Sequence, residues 1–594
     1  MTTDASGRFR LPLDAEALGD DAVMVRASFA GQIPSTQVIA ISSGDSVSVD
    51  LRLASGPTGT VLLDGPPRSD AWADDGTASP ANGVDPGGIV RVIGDHLVVL
   101  RRGRLFTVRV GGGDLTPVDD VSVAGPWGGP EDVWYHEVLT VGTAAIVVGE
   151  GWDDGHVTEV TVFDVGADGR IKRGSTYRFP TEASFPSLDD GAQVVGDRLV
   201  VYAPAPLYLG RETEPATTLP VLRRWDGRRE TAERVSPSRI HRPRGELARH
   251  DGTVHTVLVC GVGGGALDCR ATGVVGPSGA TPFVTEEATY LWLWSWRSGR
   301  RALPPILYRV PHDGDPPQAV AVDGPLAERF PLHVARDTVS AVTTGCETWK
   351  RERTCAAPSV VRVPVSAFGD DVEGAALAHS LPAPGGTSGV SRFVDGRLLR
   401  SPSPGSGVVH VVNVARPNSV WTVHPGHPVG AIEPMEDAAV LQGWDGNDLL
   451  YSVVHLDGTP RITGPPYRLR GARRPTTRSQ GFFYQGDGQG GLLGLQVRRL
   501  DEPYQGASEL GASVVFIHNE GGRLREIGVL HSQRGPFDDE CVTSCTAWYA
   551  NARPVFVGDR VFALLGYEVV EGVVRDGALH EIRRVSFDPS TPPR

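Results

Sequence analysis

Asp-Gly steps recur along this chain from Asp64 to Asp576, among them Asp154, Asp168, Asp226, Asp313, Asp395, Asp445 and Asp457, with short apolar runs between them. Asp and Gly tolerate the positive φ that tight hairpin turns require, so a chain punctuated in this way is set up for successive β-hairpins. No 3.6-residue apolar period is sustained except briefly over Leu326–Phe330. Gly 74 and Pro 47 against Met 3, in a chain with 40% apolar residues, likewise favour many short strands over helices.

At 594 residues the chain exceeds one ordinary core, but a propeller absorbs such length in a single ring. A weak repeat supports this architecture. Gly94-Asp95-His96-Leu97-Val98, Gly196-Asp197-Arg198-Leu199-Val200 and Gly558-Asp559-Arg560-Val561-Phe562 share one pattern, with Val394-Asp395-Gly396-Arg397-Leu398-Leu399 a variant. Each reads as a turn feeding an inner blade strand. At roughly 40–60 residues per blade plus insertions, the expectation is an all-β propeller of seven or eight blades. A β-helix fits the long, irregular repeats less well, and separate sandwiches would need a linker that is not evident.

The order of several short motifs resembles that of secreted bacterial β-propeller-domain proteins. Gly83-Val84-Asp85-Pro86-Gly87-Gly88-Ile89-Val90-Arg91, then Gly94 through Leu100 and Gly103-Arg104-Leu105, are similar to the opening of that family. Trp134–Leu139 leading to Ile146–Gly149, Leu307–Pro311, Arg473–Phe483 and Arg553–Asp559 continue the likeness, which spans about 83–585. Pro86 and Gly88 replace the family's acidic residues, which removes the basis for an ion-binding role of that turn. The resemblance implies a fold and an exported compartment, and no established activity. Upstream, Thr3–Leu11, Val23–Ala27, Val38–Ile41 and Val47–Leu53 resemble the later strands of carboxypeptidase regulatory-like domains, small transthyretin-like sandwiches, without their opening strand. The expected organisation is a partial sandwich over 1–53, a linker or first propeller strand over 54–82, and the propeller over 83–594. A signal peptide is then expected upstream of Met1, whose own neighbourhood is polar.

Six cysteines fall into local pairs: Cys260 with Cys269, Cys346 with Cys355, and Cys541 with Cys545. The first two share a Cys-x8-Cys spacing that lets two cysteines face each other across a hairpin. No Cys-x2-Cys knuckle or Cys/His set suggests a metal instead. Three disulfides, and so an oxidising compartment, secreted or cell envelope, are expected. Net charge is -14, which argues against a nucleic-acid partner. Lys172 and Lys350 are the only lysines, so no Gly-Lys-Ser/Thr phosphate loop exists. No apolar run reaches the ~18 residues of a transmembrane helix.

Candidate chemistry is sparse. Tyr290, Trp292, Trp294 and Trp296 share one face of a strand, either as a sugar-stacking platform or as packing between blades; the leucines on the other face favour packing. His424 and His427 offer two imidazoles without a third ligand nearby, and a surface turn explains them equally well. In Trp134-Tyr135-His136-Glu137, strand alternation separates His136 from Glu137. Acidic clusters at Asp153-Asp154, Asp189-Asp190, Asp370-Asp371 and Asp538-Asp539-Glu540 lack the alternating ligand pattern of a Ca²⁺ loop. Trp444-Asp445-Gly446-Asn447-Asp448 comes nearest but reads as a hairpin turn. An irregular Ca²⁺ site is the one cofactor left open. His-Glu-x-x-His, Gly-x-Ser-x-Gly and Cys-x-x-Cys-His are absent. The expectation is a non-catalytic extracellular or envelope binding or scaffold protein, its ligand a protein or glycan. The alternative is a hydrolase or lyase with carboxylates gathered at the ring centre.

Overall fold

Short turns oblige each strand to pair with its neighbour in sequence, and the chain follows that rule almost throughout. The computed structural model describes the strands Ala22–Ala27 and Ser35–Ala40 and residues 84–588, apart from 86–87, 128–131, 152–155, 182–190, 208–218, 243–251, 295–304, 323–325, 327–331, 336, 344–345, 350–351, 356–357, 371–376, 381–388, 404, 474–481, 487–489, 500–511, 534–551 and 559. Two units divide the chain, 1–67 with 505–508 and the remainder. In the first, Ala22–Ala27 and Ser35–Ala40 form an antiparallel pair. The rest of the sandwich expected over 1–53 lies outside the described residues.

The second unit is a propeller. Blade 1 runs through Val90–Ile93, His96–Arg101, Arg104–Arg109 and Thr116–Ser122, each strand antiparallel to the last. The same order recurs in blades beginning at Val133, Ala192, Gly279, Leu332, Val390, Ala431, Ala472 and Ala552. The count is therefore nine blades, which corrects the expected seven or eight. Blades as short as Val390–Val423 and Ala552–Ser586 fit because their turns are minimal, while extra length is concentrated in insertions such as that between Arg198–Leu207 and Gly252–Gly263.

The repeated Gly-Asp turns are where the sequence places them, but they feed the second strand of a blade and not the innermost. His96–Arg101, Arg198–Leu207 and Arg560–Leu565 each pair with an inner strand that precedes the turn. Gly94, Gly196 and Gly558 have φ of 53, 60 and 61°, and a Cβ at each would meet nothing within 4 Å. Backbone handedness alone selects glycine there. At Asp395-Gly396 and Asp576-Gly577 both residues have positive φ, the type I′ pair that Asp-Gly suits.

Strand alternation sends apolar residues to both faces of every blade, so each blade packs against two neighbours. In blade 4, Leu291 and Leu293 face blade 3 while Tyr290 and Trp292 face blade 5. Nine apolar seams join the nine blades in sequence. The last closes the ring: Phe562, Leu564, Tyr567 and Phe587 of blade 9 pack on Leu97, Val99, Phe106 and Val108 of blade 1. Among the described residues no strand is shared across this seam. Arg560 donates across it to the Val110 carbonyl and Arg583 to that of Gly113.

The chain enters the ring along its inner wall. Val84–Asp85 pairs antiparallel with Val195 and Val194 on the first strand of blade 3. The Gly88 carbonyl accepts from Val138 N of blade 2 at 2.7 Å, and that of Ile89 from Leu100 N of blade 1 at 2.8 Å. The Gly83–Arg91 motif thus includes a strap that touches three blades.

Because packing carries the closing seam, Phe562→Ala is expected to cost about 3–5 kcal/mol. Urea denaturation checks this, and a loss below about 1 kcal/mol would show that the seam collapses around the cavity.

Candidate functional site

The aromatic run is core. Tyr290 and Trp292 are buried, and Trp294 packs against the same cluster between blades 4 and 5; Trp296 lies outside the described residues. The described aromatic left most open is Trp444, 48% exposed, which sequence reading passed over as part of a turn. That turn does form: Asp445 pairs with Asp448 across the hairpin, and Gly446 has φ of 58°. Arg468 spans it, donating to Asp445 and Asp448 at 2.8 Å each. The Trp444 ring lies against Gly430, where an added Cβ would collide with it.

His424 is exposed, whereas His427 is buried with both ring nitrogens engaged. Its Nδ1 donates to the Pro428 carbonyl at 2.7 Å and its Nε2 lies 3.0 Å from Ser452 Oγ. That is a clamp between turn and strand. Around His136 the register shifts from Tyr135 opposite Gly149 to Glu137 opposite Val148. This bulge breaks the alternation from which the separation of His136 and Glu137 was argued. Both are buried, and the His136 ring lies 4.7 Å from that of Trp134. Asp370 is exposed; Asp371 and the other acidic clusters lie outside the described residues. No group of three His, Cys, Asp or Glu side chains is gathered among the described residues.

Three of the described buried carboxylates, Glu159, Glu571 and Glu568, are met by arginines. Glu159 accepts from Tyr135 Oη at 2.5 Å and from Arg178 Nε at 2.9 Å, while burial pushes its pKa up. Glu571 accepts from Arg560 and Arg583 at 2.7 Å each; burial opposes its ionisation, yet the guanidiniums outweigh it and hold its pKa down. Glu568 meets Arg584 at 3.1 Å. Each pair ties strands of one blade to each other.

A different arrangement occurs at the outer edge of blade 3. The insertion first adds Val221–Trp225 and Glu230–Arg234 to the outer edge of blade 2, then turns through Pro237–Arg239. Ile240–His241 next pairs in parallel with Gly273 and Val274 of blade 3. Beneath this crossing lies a groove of about 530 Å³. Leu222, Val235, Leu258, Cys269 and Ala271 give it apolar walls, and Arg198, Arg234, Arg239 and Arg270 carry its charge with Glu233, Asp268 and Asp313. Arg270 donates to the Asp313 carbonyl at 2.7 Å. Arg234 and Arg239 are exposed and have no carboxylate partner among the described residues. No motif marked this groove, because it joins residues from four separated stretches of chain.

Cys260 and Cys269 form a disulfide between directly opposed residues of Gly252–Gly263 and Ala266–Gly276. Cys346 and Cys355 are likewise opposite each other in their hairpin, although their side chains lie outside the described residues, as do Cys541 and Cys545 entirely.

No family model matches the chain, and no curated protein does. Solved structures with similar folds include apo AztD from Citrobacter koseri, 11% identical, covering 74% of this chain and 95% of that one at a TM-score of 0.32. The propeller domain of the Trilobed protease from Pyrococcus furiosus is 7% identical, covering 66% and 97% at 0.30. A putative 6-phosphogluconolactonase from Bacteroides fragilis is 11% identical, covering 66% and 96% at 0.26. The chain is a β-propeller.

Two outcomes follow from this chemistry. Replacing Cys260 and Cys269 by serine should lower unfolding free energy by about 2–3 kcal/mol, as expected for a loop of about ten residues, with chemical denaturation as the measurement. His255 is fully buried, its Nε2 donating to the Pro277 carbonyl at 2.8 Å and its Nδ1 accepting from Tyr202 Oη at 2.7 Å. Burial lowers its pKa to about 4 from 6.5. The unfolded chain therefore binds the proton first, so stability present above about pH 6.5 is lost as pH falls toward 4. His255→Gln should flatten that part of the stability-against-pH curve relative to the parent protein.

Proposed function

We propose that this chain is an exported, non-catalytic binding propeller whose ligand is a protein, docked at the outer edge of blade 3. The observation that carries the reading is the contrast in its charges. Buried Glu159 and Glu571 are matched with arginines, whereas the exposed Arg239 at the groove has no described carboxylate partner. In a chain of net charge -14, such a groove favours an acidic ligand. The cross-strand disulfide supports an oxidising compartment, and no described helix is long and apolar enough to cross a membrane. In this reading residues 1–53 form a sandwich spacer, 54–82 lead into the ring, and Cys346–Cys355 and Cys541–Cys545 are further bridges.

Trp444 favours a second reading, a glycan ligand. Its exposed indole, set against Gly430 and flanked by the Arg468 carboxylate pairs, offers a stacking surface with polar groups beside it. Binding to peptide and glycan arrays tests both. Arg239→Ala should weaken a protein-type ligand at least tenfold, and Trp444→Ala a glycan. Turnover of any array ligand would instead establish the hydrolase or lyase alternative.

A further inference from the structure

We infer that the protein associates with a second copy of itself through the outermost strand of blade 2. Glu230–Arg234 pairs antiparallel with the same strand of the second copy, about a twofold axis at Ala232.

Blade 2 carries two strands beyond the usual four, so its edge stands about 10 Å outside a regular blade at roughly 4.8 Å per strand. The last of these strands is exposed at every position from Glu230 to Arg234. Its ladder with Val221–Trp225 fixes which backbone groups face outward. Val235 N donates to the Pro220 carbonyl at 2.9 Å, and the Arg229 carbonyl accepts from Asp226 N at 3.2 Å. Alternate residues of an antiparallel ladder turn both N–H and C=O to the same side. Arg229, Thr231, Glu233 and Val235 therefore turn inward, while Glu230, Ala232 and Arg234 turn outward, where no described backbone group meets them. Such an edge is a template for a further strand.

Charge selects the occupant and its register. With the axis at Ala232, Glu230 stands opposite the second copy's Arg234 at both ends of the pairing, and Thr231 opposite the second copy's Glu233. Opposite charges directly across antiparallel strands stabilise the pair, and like charges destabilise it. An axis at Glu230, Glu233 or Arg234 sets like charges face to face, and one at Thr231 sets Arg228 against Arg234. The axis at Ala232 avoids every such clash and puts the smallest side chain of the strand at its centre. Arg234 has no carboxylate partner among the described residues. Glu230 accepts from Trp127 Nε1 at 3.1 Å through Oε2, while its Oε1 lies 3.7 Å from Arg223. Both charges lie on the face of the hairpin opposite Leu222, which packs toward blade 3. Three outward residues on each strand exchange about six backbone hydrogen bonds. So short a strip belongs to the small end of specific interfaces, and the dimer is therefore weak and concentration-dependent.

Sedimentation equilibrium of the full chain over rising concentration is the test. The parent protein should move from 63.2 kDa toward twice that mass. Glu230→Arg and Arg234→Glu, each alone, set like charges across both ends of the pairing and should weaken association at least tenfold. Mixed in equal amounts, the two variants set opposite charges across both ends and should associate as the parent does. The double variant Glu230→Arg/Arg234→Glu should do so by itself. If Glu230→Arg does not fold without its bond from Trp127, Ala232→Pro serves instead. It removes the outward N–H at the axis, spares the inner ladder, and should weaken association at least tenfold at an unchanged melting temperature. A monomer at every concentration overturns the inference, as does a dimer that none of these variants weakens. Failure of the two folded single variants to associate on mixing overturns it equally.

Discussion

Packing of each blade on two neighbours is the interaction on which the rest of the structure depends. A strand buried on one face can end a sheet at solvent, but a strand buried on both must have a neighbour on each side. The chain meets that demand by closing a ring. Closure comes from side chains alone among the described residues: Phe106, Tyr567 and Phe587 form a contiguous aromatic cluster, with centroids 5.2–5.8 Å apart, between the first blade and the last. The seams are not uniform. That between blades 5 and 6 buries only Val342, Val360, Leu398, Val412 and Val414 as its described core, against a far larger set between blades 2 and 3. Local opening is cheapest where least apolar surface is buried, so the ring has a weak side.

The same burial dictates how charge is arranged. A carboxylate inside a seam is tolerated only when an arginine or a donor meets it, which is the situation of Glu159 and Glu571. His255 obeys the rule by staying neutral between a hydroxyl and a carbonyl. Freedom to bind something else begins where the sheets end. Outer strands expose backbone groups that proteins usually cover or blunt. Here the insertion covers part of the edge of blade 3, Tyr177 of blade 2 covers another part, and the groove lies beside the stretch between them.

Much of this was legible in local sequence, and the errors have identifiable causes. Asp-Gly steps and Gly-Asp turns marked hairpins because a two-residue turn is a property of its own residues. The same motifs could not reveal which strand of a blade they feed, since that depends on which edge faces the ring centre. The leucines between Tyr290, Trp292 and Trp294 correctly indicated burial on both faces. Trp444 carries no comparable signal, because its exposure depends on Gly430 and the neighbouring blade surface. A bulge at His136 is equally silent in sequence, although it decides where the following side chains lie.

By itself the sequence determined an all-β chain, the hairpin turns, and the opposition of Cys260 to Cys269, because each is settled by residues close together along the backbone. Tertiary structure decided the ninth blade, the strap of Val84 on Val195, the closing contact of Arg560 with Val110, and the open edge between Tyr177 and Ile240. Each of these joins segments far apart in the chain, and only the packing that brings them together gives such pairings their meaning.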